Sequence, residues 1–377
     1  MIYFDNAATT RIKPQIAYDA AMNYLKELGV SPGRGSYSLG IEASRELYRS
    51  RCAVGDYFGL SKPERVVFTK NSTEAINLLI RGILNKGDHV IMSCYEHNAV
   101  LRPIEYLKRQ GTIEYSVISR DDLSLTAEEL YKKYVKSNTR LLVLTLASNL
   151  TGRIIFSPSL LKFFHDKGIT TFVDASQGAG KLDINMRASM IDYLAFTGHK
   201  DLLALPGVGG LCCEGTHRID ALIQGGTGIH GEEYVNPDIF PEGLEAGTLN
   251  MPSIVSLKTS IEYIKTNKDS IHQKEKSLIS CLINHLSEID GITIYDRDFV
   301  RTPTCCFTLN SITTDKVVYL LDQKGICVRG GIHCAILAHQ ALNTVETGAV
   351  RVSLSYNNSI DEIDYFVEVM KEIVGCI

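Results

Sequence analysis

The chain has 377 residues, 45% of them hydrophobic and 22% charged, and a formal net charge of −4 at pH 7. That length allows a large core or two domains, and the charge balance lacks the basic excess of a nucleic-acid binder. No apolar run reaches the length of a membrane span. The start, Met1 to Asp5, lacks the basic and apolar regions of a signal peptide. A cytoplasmic protein with no nucleic-acid or membrane partner is expected.

In chain order, the first residues read as extended. Residues 65–68 form a short apolar run. Ser72-Thr73-Glu74 then opens a helical pattern with Ile76, Leu79, Ile80 and Ile83 on one face, a Ser/Thr-to-acid start that signals a cap. Lys86-Gly87-Asp88 closes it. Residues 89–92 read as a strand, 101–110 as a helix, 113–118 as extended, 126–135 as a helix and 141–146 as a buried strand. A helix over 159–167 closes at Gly168, and apolar runs at 170–173 and 193–196 follow. Such alternation predicts an α/β fold with a mostly parallel central sheet and helices on both faces. After about residue 250 the pattern changes. Long helices over 252–266 and 271–289 precede strands at 293–295 and 304–309, a helix over 315–323, a strand at 326–328 and an amphipathic helix over 361–373. A large domain over 12–250 and a smaller α+β C-terminal domain built from 1–11 and 251–377 are expected.

The ten cysteines are scattered, with no CxxC, and in a reducing compartment most serve as small buried hydrophobes. Cys334 differs. It follows Arg329-Gly330-Gly331-Ile332-His333, where two glycines permit an unusual backbone path and Arg329 and His333 favour the reactive thiolate. A metal site there lacks further spaced ligands, so no metal is expected.

Two strand ends carry the strongest chemical signal. The run 170–173 ends in Asp174, and the run 193–196 ends in Thr197-Gly198-His199-Lys200. Strand ends in an α/β sheet open on the ligand crevice. A carboxylate and an amine there suit a pyridine cofactor, one for its ring nitrogen and one for its aldehyde. Lys200 needs to be neutral, and burial with nearby cations lowers a lysine pKa. Asn71-Ser72-Thr73 at a helix start suits a phosphate, although a plain N-cap is the commoner use of such residues. Thr197 and His199 can complete the phosphate cup. Asn149 and Gln177 can donate to a phenolic oxygen or serve ordinary turns. His97 can stack on a flat ring and shuttle protons. Arg351, in a strand-like stretch, suits bidentate capture of a substrate carboxylate, or an inter-domain ion pair.

These residues lie in motifs whose order and spacing span nearly the whole chain. They run from Asp5-Asn6-Ala7-Ala8 through Ser72-Thr73-Glu74, Glu96-His97-Asn98 and Ser148-Asn149-Leu150-Thr151-Gly152. They continue with Asp174-Ala175-Ser176-Gln177, Thr197-Gly198-His199-Lys200 and Glu245-Ala246-Gly247-Thr248, and end with Arg329-Gly330-Gly331-Ile332-His333-Cys334 and Val350-Arg351-Val352-Ser353. In this the chain resembles the class V aminotransferase-fold pyridoxal phosphate (PLP) enzymes, and within them the group II (SUF-type) cysteine desulfurases and selenocysteine lyases. The resemblance implies PLP fold type I, aspartate aminotransferase-like, and a homodimer with a shared active site.

It also implies residue roles. Lys200 forms the Schiff base, Asp174 faces the ring nitrogen, His97 stacks on the ring, and Asn149 and Gln177 hold its phenolic oxygen. Ser72, Thr73, Thr197 and His199 bind phosphate, with Thr248 reaching over from a second subunit. Arg351 holds the substrate carboxylate, with Arg329, Asn6 and Arg34 also on the substrate side. Cys334 becomes the persulfide as L-cysteine is converted to L-alanine, for transfer to a sulfur-acceptor protein, as in iron–sulfur cluster assembly. Selenocysteine lyase action on L-selenocysteine, or another class V lyase or aminotransferase reaction, is the alternative. A non-catalytic sulfur-carrier scaffold is disfavoured by Lys200 and Asp174. The chain departs from the group's pattern at Gly33 and Tyr37 of the early loop, at Ala204-Leu205 after Lys200 and at Ile336 after Cys334. These positions touch the substrate entrance and loop geometry more than the cofactor.

Overall fold

Apolar runs separated by amphipathic stretches fold into strands and helices in near-regular alternation. The structure is a computed structural model and describes residues 1–33, 35–310 and 312–375. Strand β1 (Ile2–Tyr3) and helices α1 (Gln15–Asn23) and α2 (Ser38–Phe58) open the chain. Then come β2 (Val66–Thr69), α3 (Ser72–Ile83), β3 (His89–Ser93), α4 (Asn98–Arg109), β4 (Glu114–Ile118), α5 (Ala127–Tyr134) and β5 (Thr139–Thr145). Helix α6 (Pro158–Asp166) leads to β6 (Thr170–Asp174), β7 (Tyr193–Thr197) and β8 (Gly209–Cys213). The remainder is α7 (Met251–Ser287), β9 (Ile292–Ile294), β10 (Thr304–Leu309), α8 (Thr314–Gln323), β11 (Ile326–Cys327), β12 (Arg329–Gly331), α9 (Ile336–Ala341), β13 (Ala349–Ser353) and α10 (Ile360–Gly375). No helix among the described residues is long and apolar enough to cross a membrane.

The central sheet has seven strands in the order β2-β8-β7-β6-β5-β3-β4. Strand β8 runs antiparallel to β2 and β7, and the other pairs are parallel. Its middle strands are buried on both faces, which is why they read as continuous apolar runs. Alternate residues serve two cores: Ile91, Leu142 and Leu144 one, Val90, Leu141 and Val143 the other. A second sheet, β12-β13-β10-β9, and the short parallel pair β1-β11 lie in the C-terminal part. There a third core gathers the end of α7 with α8 and α10.

Three expectations are corrected. The two long helices after residue 250 are one helix, α7, of 37 residues. Its first half packs in the large core through Ile254, Leu257 and Ile261, and its second in the C-terminal core through Leu278, Leu282 and Leu286. The polar segment 267–270 is where the helix passes between cores; it holds neither Gly nor Pro, so nothing breaks the helix there. Helix α4 begins at Asn98, three residues early, because His97 caps it. Strand β8 is absent from the sequence expectations, since it opens on Gly209-Gly210 and glycine is depleted in strands. A Cβ at Gly209 would lie 2.6 Å from the Asn71 carbonyl carbon, and one at Gly210 2.6 Å from the Phe196 ring. Those glycines permit close approach within the sheet.

Candidate active site

The order of the parallel strands reverses between β3 and β5, and such a switch point opens a crevice at the carboxyl ends of the strands. Here β3, β5, β6 and β7 each deliver side chains to it. A cavity of about 270 Å³ is lined by His97 after β3, Thr145 at the end of β5 and Asn149 beyond it, Asp174 at the end of β6 with Ser176 and Gln177 beyond it, and Thr197 at the end of β7 with His199 and Lys200 beyond it. Asn71, Ser72 and Thr73 at the start of α3 close the same cavity. Register explains the last group: Thr69 of β2 and Thr197 of β7 both pair with Gly209 of β8. Asn71 caps α3 by accepting from Glu74 N at 2.9 Å, while Glu74 accepts from Lys70 N at 2.7 Å. This leaves Ser72 and Thr73 on the positive end of the helix.

Lys200 is half-buried. Burial pulls its pKa down to about 8, and Arg351 and Arg329 push the same way against Asp174 and Asp201. Asp174 is fixed by Ser176, whose N–H and hydroxyl donate to Oδ1 at 2.9 and 2.5 Å. His97 Nδ1 accepts from Ala99 N at 3.0 Å, which puts the ring proton on Nε2. Burial, then the Lys200 charge, brings the His97 pKa to about 4, so the imidazole is neutral. His199 is brought to about 4 by burial and by Lys200 and Lys13. Its ring meets Thr9 Oγ1 at 3.0 Å. Gln177 donates to Ala7 O at 2.9 Å. Asn149 donates through Nδ2 to His333 O at 2.7 Å, and its Oδ1 is buried without a partner, as is Thr197 Oγ1.

Cys334 stands on a second cleft, of about 380 Å³, which shares Thr73 and His97 with the first. His333 and Cys334 both take positive φ, 54° and 55°, a conformation that costs about 1–2 kcal/mol per residue for L-amino acids. Two anchors hold it: Asn98 N donates to Cys334 O at 2.8 Å, and Asn149 grips His333 O.

The substrate-side residues are less convergent. Arg351 is buried and paired with Asp5 at 2.5 Å, while its other nitrogen donates to Asn149 O at 2.9 Å. Arg351 thus makes an ion pair, but with Asp5 of the same expected domain, 1–11 and 251–377, and not across domains. Arg329 faces Arg351 across β12 and β13. Asn6 does not line the cavity; its amide donates to Ser353 O at 3.0 Å and fastens the N-terminus to β13. Thr248 lines a separate cleft beside Lys70 and Glu74. Arg34 lies outside the described residues.

The sequence reading missed the residues behind this wall. Thr145 and Ser176 are small neutral residues at strand ends, with no signal of their own. Glu96 is fully buried and accepts from Ser93 Oγ at 2.6 Å and Thr145 N at 2.8 Å; burial lifts its pKa to about 8, so it is protonated at neutral pH. Next to Lys200, Asp201 pairs with Lys181 at 2.8 Å, and Lys181 lies 3.8 Å from Glu275 of α7. Burial opposes the Lys181 charge, but the two carboxylates outweigh it and raise its pKa. Burial lifts Glu275 to about 7, with Lys181 pulling the other way.

The mostly parallel α/β sheet, with its residues at the strand ends, is the architecture of PLP fold type I. The chain belongs to the aminotransferase class-V family, whose model matches residues 2–366. It is 34% identical to a probable cysteine desulfurase of Methanothermobacter thermautotrophicus, over 99% of this chain and 95% of that protein. It is 30% identical to a probable cysteine desulfurase of Pyrococcus abyssi, over 99% and 94%. Its fold matches a cysteine desulfurase from Thermococcus onnurineus NA1, solved in the apo form, with a TM-score of 0.89 and 30% identity over 100% of this chain and 95% of that one.

Proposed function

We propose that this protein is a PLP-dependent cysteine desulfurase that converts L-cysteine to L-alanine and leaves a persulfide on Cys334. The observation that carries the reading is the meeting of Asp174, Lys200 and the start of α3 in one cavity, with Cys334 on the adjoining cleft. The donor set suits the cofactor. The orphaned Thr197 Oγ1 is a hydroxyl free to donate to a phosphate oxygen, and the α3 terminus suits a phosphate. Lys200 would hold the aldehyde carbon, Asp174 the ring nitrogen, and Ser72, Thr73, Thr197 and His199 the phosphate. Asn149 and Gln177 would hold the phenolic oxygen, and His97 would lie against the ring. When bound, PLP supplies an electron sink for the carbon whose bonds are broken.

The chain's own residues do the rest. Lys200, with its pKa lowered to about 8, takes the substrate's α-proton as a neutral amine. Neutral His97 carries a donor at Nε2 for later proton transfers. The Cys334 thiolate attacks the substrate sulfur; the new S–S bond forms as the C–S bond breaks, and the carbon leaves as alanine after protonation. Arg329 and Arg351 supply positive charge for the substrate carboxylate, with Arg351 loosening its hold on Asp5.

Residues 12–250 form the cofactor-binding domain, with 1–11 and 251–377 as the smaller one. A homodimer completes the site with Thr248 of a second copy, and a sulfur-acceptor protein removes the persulfide. The nine described cysteines are all free thiols, which suits the cytoplasm.

Borohydride reduction followed by peptide mass mapping should place a pyridoxyl adduct on Lys200. Cys334→Ala should release less than about a hundredth of the wild-type sulfide from L-cysteine while keeping the cofactor's visible band. Full activity in that variant would remove Cys334 from the mechanism, and pyruvate in place of alanine would make the enzyme a β-lyase.

A further inference from the structure

Away from this cavity, Cys281, His285 and Asp364 gather at the solvent edge of the seam between α7 and α10. Their ligand atoms lie within 4.8 Å of one another. Cys281 Sγ is 3.8 Å from His285 Nδ1, which is 3.6 Å from Asp364 Oδ1. The arrangement follows from packing. Cys281 and His285 are four residues apart on α7 and so share a face. Beside them, buried Leu278, Leu282 and Leu286 pack in one core with Ile363 and Val367 of α10, which holds Asp364 against that face.

We propose that this triad binds one thiophilic divalent ion of the Zn²⁺ type, through Sγ, Nδ1 and a carboxylate oxygen, with water as the fourth ligand. Zn–S of about 2.3 Å and Zn–N or Zn–O of about 2.0–2.2 Å place tetrahedral S···N and N···O pairs roughly 3.5 and 3.4 Å apart. The observed 3.8 and 3.6 Å are wider by only a few tenths of an ångström, within reach of small side-chain rotations. Thiolate and imidazole ligands select Zn²⁺ over Mg²⁺ or Ca²⁺, which take oxygen. His285 lies in the last turn of α7, where the helix dipole favours a cation. Cys281 and His285 are half-buried and Asp364 is exposed, so an ion can enter and keep a water. Binding displaces the thiol proton to solvent as the Zn–S bond forms, and it ties α10 to α7. The competing arrangement is an ion pair between a protonated His285 and Asp364, with the thiol idle.

The test is a Co²⁺ titration of the chelator-stripped holoenzyme. Wild type should develop a thiolate-to-cobalt charge-transfer band and strong tetrahedral d–d bands at the red end of the spectrum, beyond the cofactor's absorption. They should saturate at one equivalent and vanish when Zn²⁺ is added. Cys281→Ser should lose the charge-transfer band, and His285→Ala and Asp364→Asn should each weaken binding at least tenfold. These substitutions lie at the surface, and an unchanged far-UV circular dichroism spectrum confirms that each variant folds. A saturating band that persists in Cys281→Ser, or no thiolate band in wild type, overturns the proposal.

Discussion

Replacing Lys181 with Met removes the cation that Asp201 and Glu275 share, and leaves two carboxylates enclosed beside Lys200. Breaking a buried ion pair from one side costs about 3–5 kcal/mol. Unfolding entropy of about 2.1 cal/mol/K per residue, applied to 377 residues, turns about 4 kcal/mol into a fall in Tm of about 5 °C. The pH dependence gives the test its power. Glu275 already has its pKa lifted to about 7 by burial, with Lys181 holding it down, so without Lys181 it rises further. Around and above pH 7 the native variant therefore binds more protons than the native wild type, and lowering the pH stabilises the variant relative to the parent. Scanning calorimetry should show a larger deficit at pH 8.5 than at pH 6, where Glu275 is mostly neutral in both proteins. A deficit that is equal at the two pH values would refute the assignment of Glu275 as the titrating partner, and no deficit at all would mean that the pair is not enclosed.

Two further perturbations bear on the cavity. Uptake of pyridoxal phosphate by cofactor-free protein requires the Lys200 amine without its proton, so the rate should rise about tenfold per pH unit below about 8 and level off above it; stopped-flow absorbance that keeps climbing towards pH 10 would mean an ordinary lysine. Gly180 has φ +102°, and a Cβ there would lie 2.1 Å from the carbonyl oxygen of Asp201. Gly180→Ala should therefore cost at least about 1–3 kcal/mol and loosen cofactor retention on gel filtration, whereas a wild-type Tm would show that the turn relaxes freely.

Much of the site was legible because its chemistry sits at strand ends. Asp174 and Lys200 terminate apolar runs, and Ser72-Thr73 opens an amphipathic helix, so period and polarity locate them before any contact is known. Residues fixed by contacts between distant segments were not legible. The Lys181–Asp201–Glu275 cluster draws on three separate stretches, and nothing local to Lys181 distinguishes it from a surface lysine. Asn6 carried a motif but its amide serves the backbone of β13, and the ion pair of Arg351 joins it to Asp5, 346 residues away in sequence, which nothing local to either residue announces. The single helix α7 was hidden because apolar periodicity lapses where it passes from one core to the next, although the backbone has no reason to stop.

The pairing of β1 with β11 joins Ile2 to Ile326, so the opening strand finds its neighbour only after roughly 320 more residues have been made. At about 5–20 residues per second on the ribosome, that is a wait of about 15–65 s. Throughout it β1 is without its strand neighbour, and Asp5 is without the Arg351 guanidinium with which it pairs. Docking of β1 on β11 is thus a late step of maturation, and a substitution that weakens this pairing should show itself as slow acquisition of activity before it shows as lost stability.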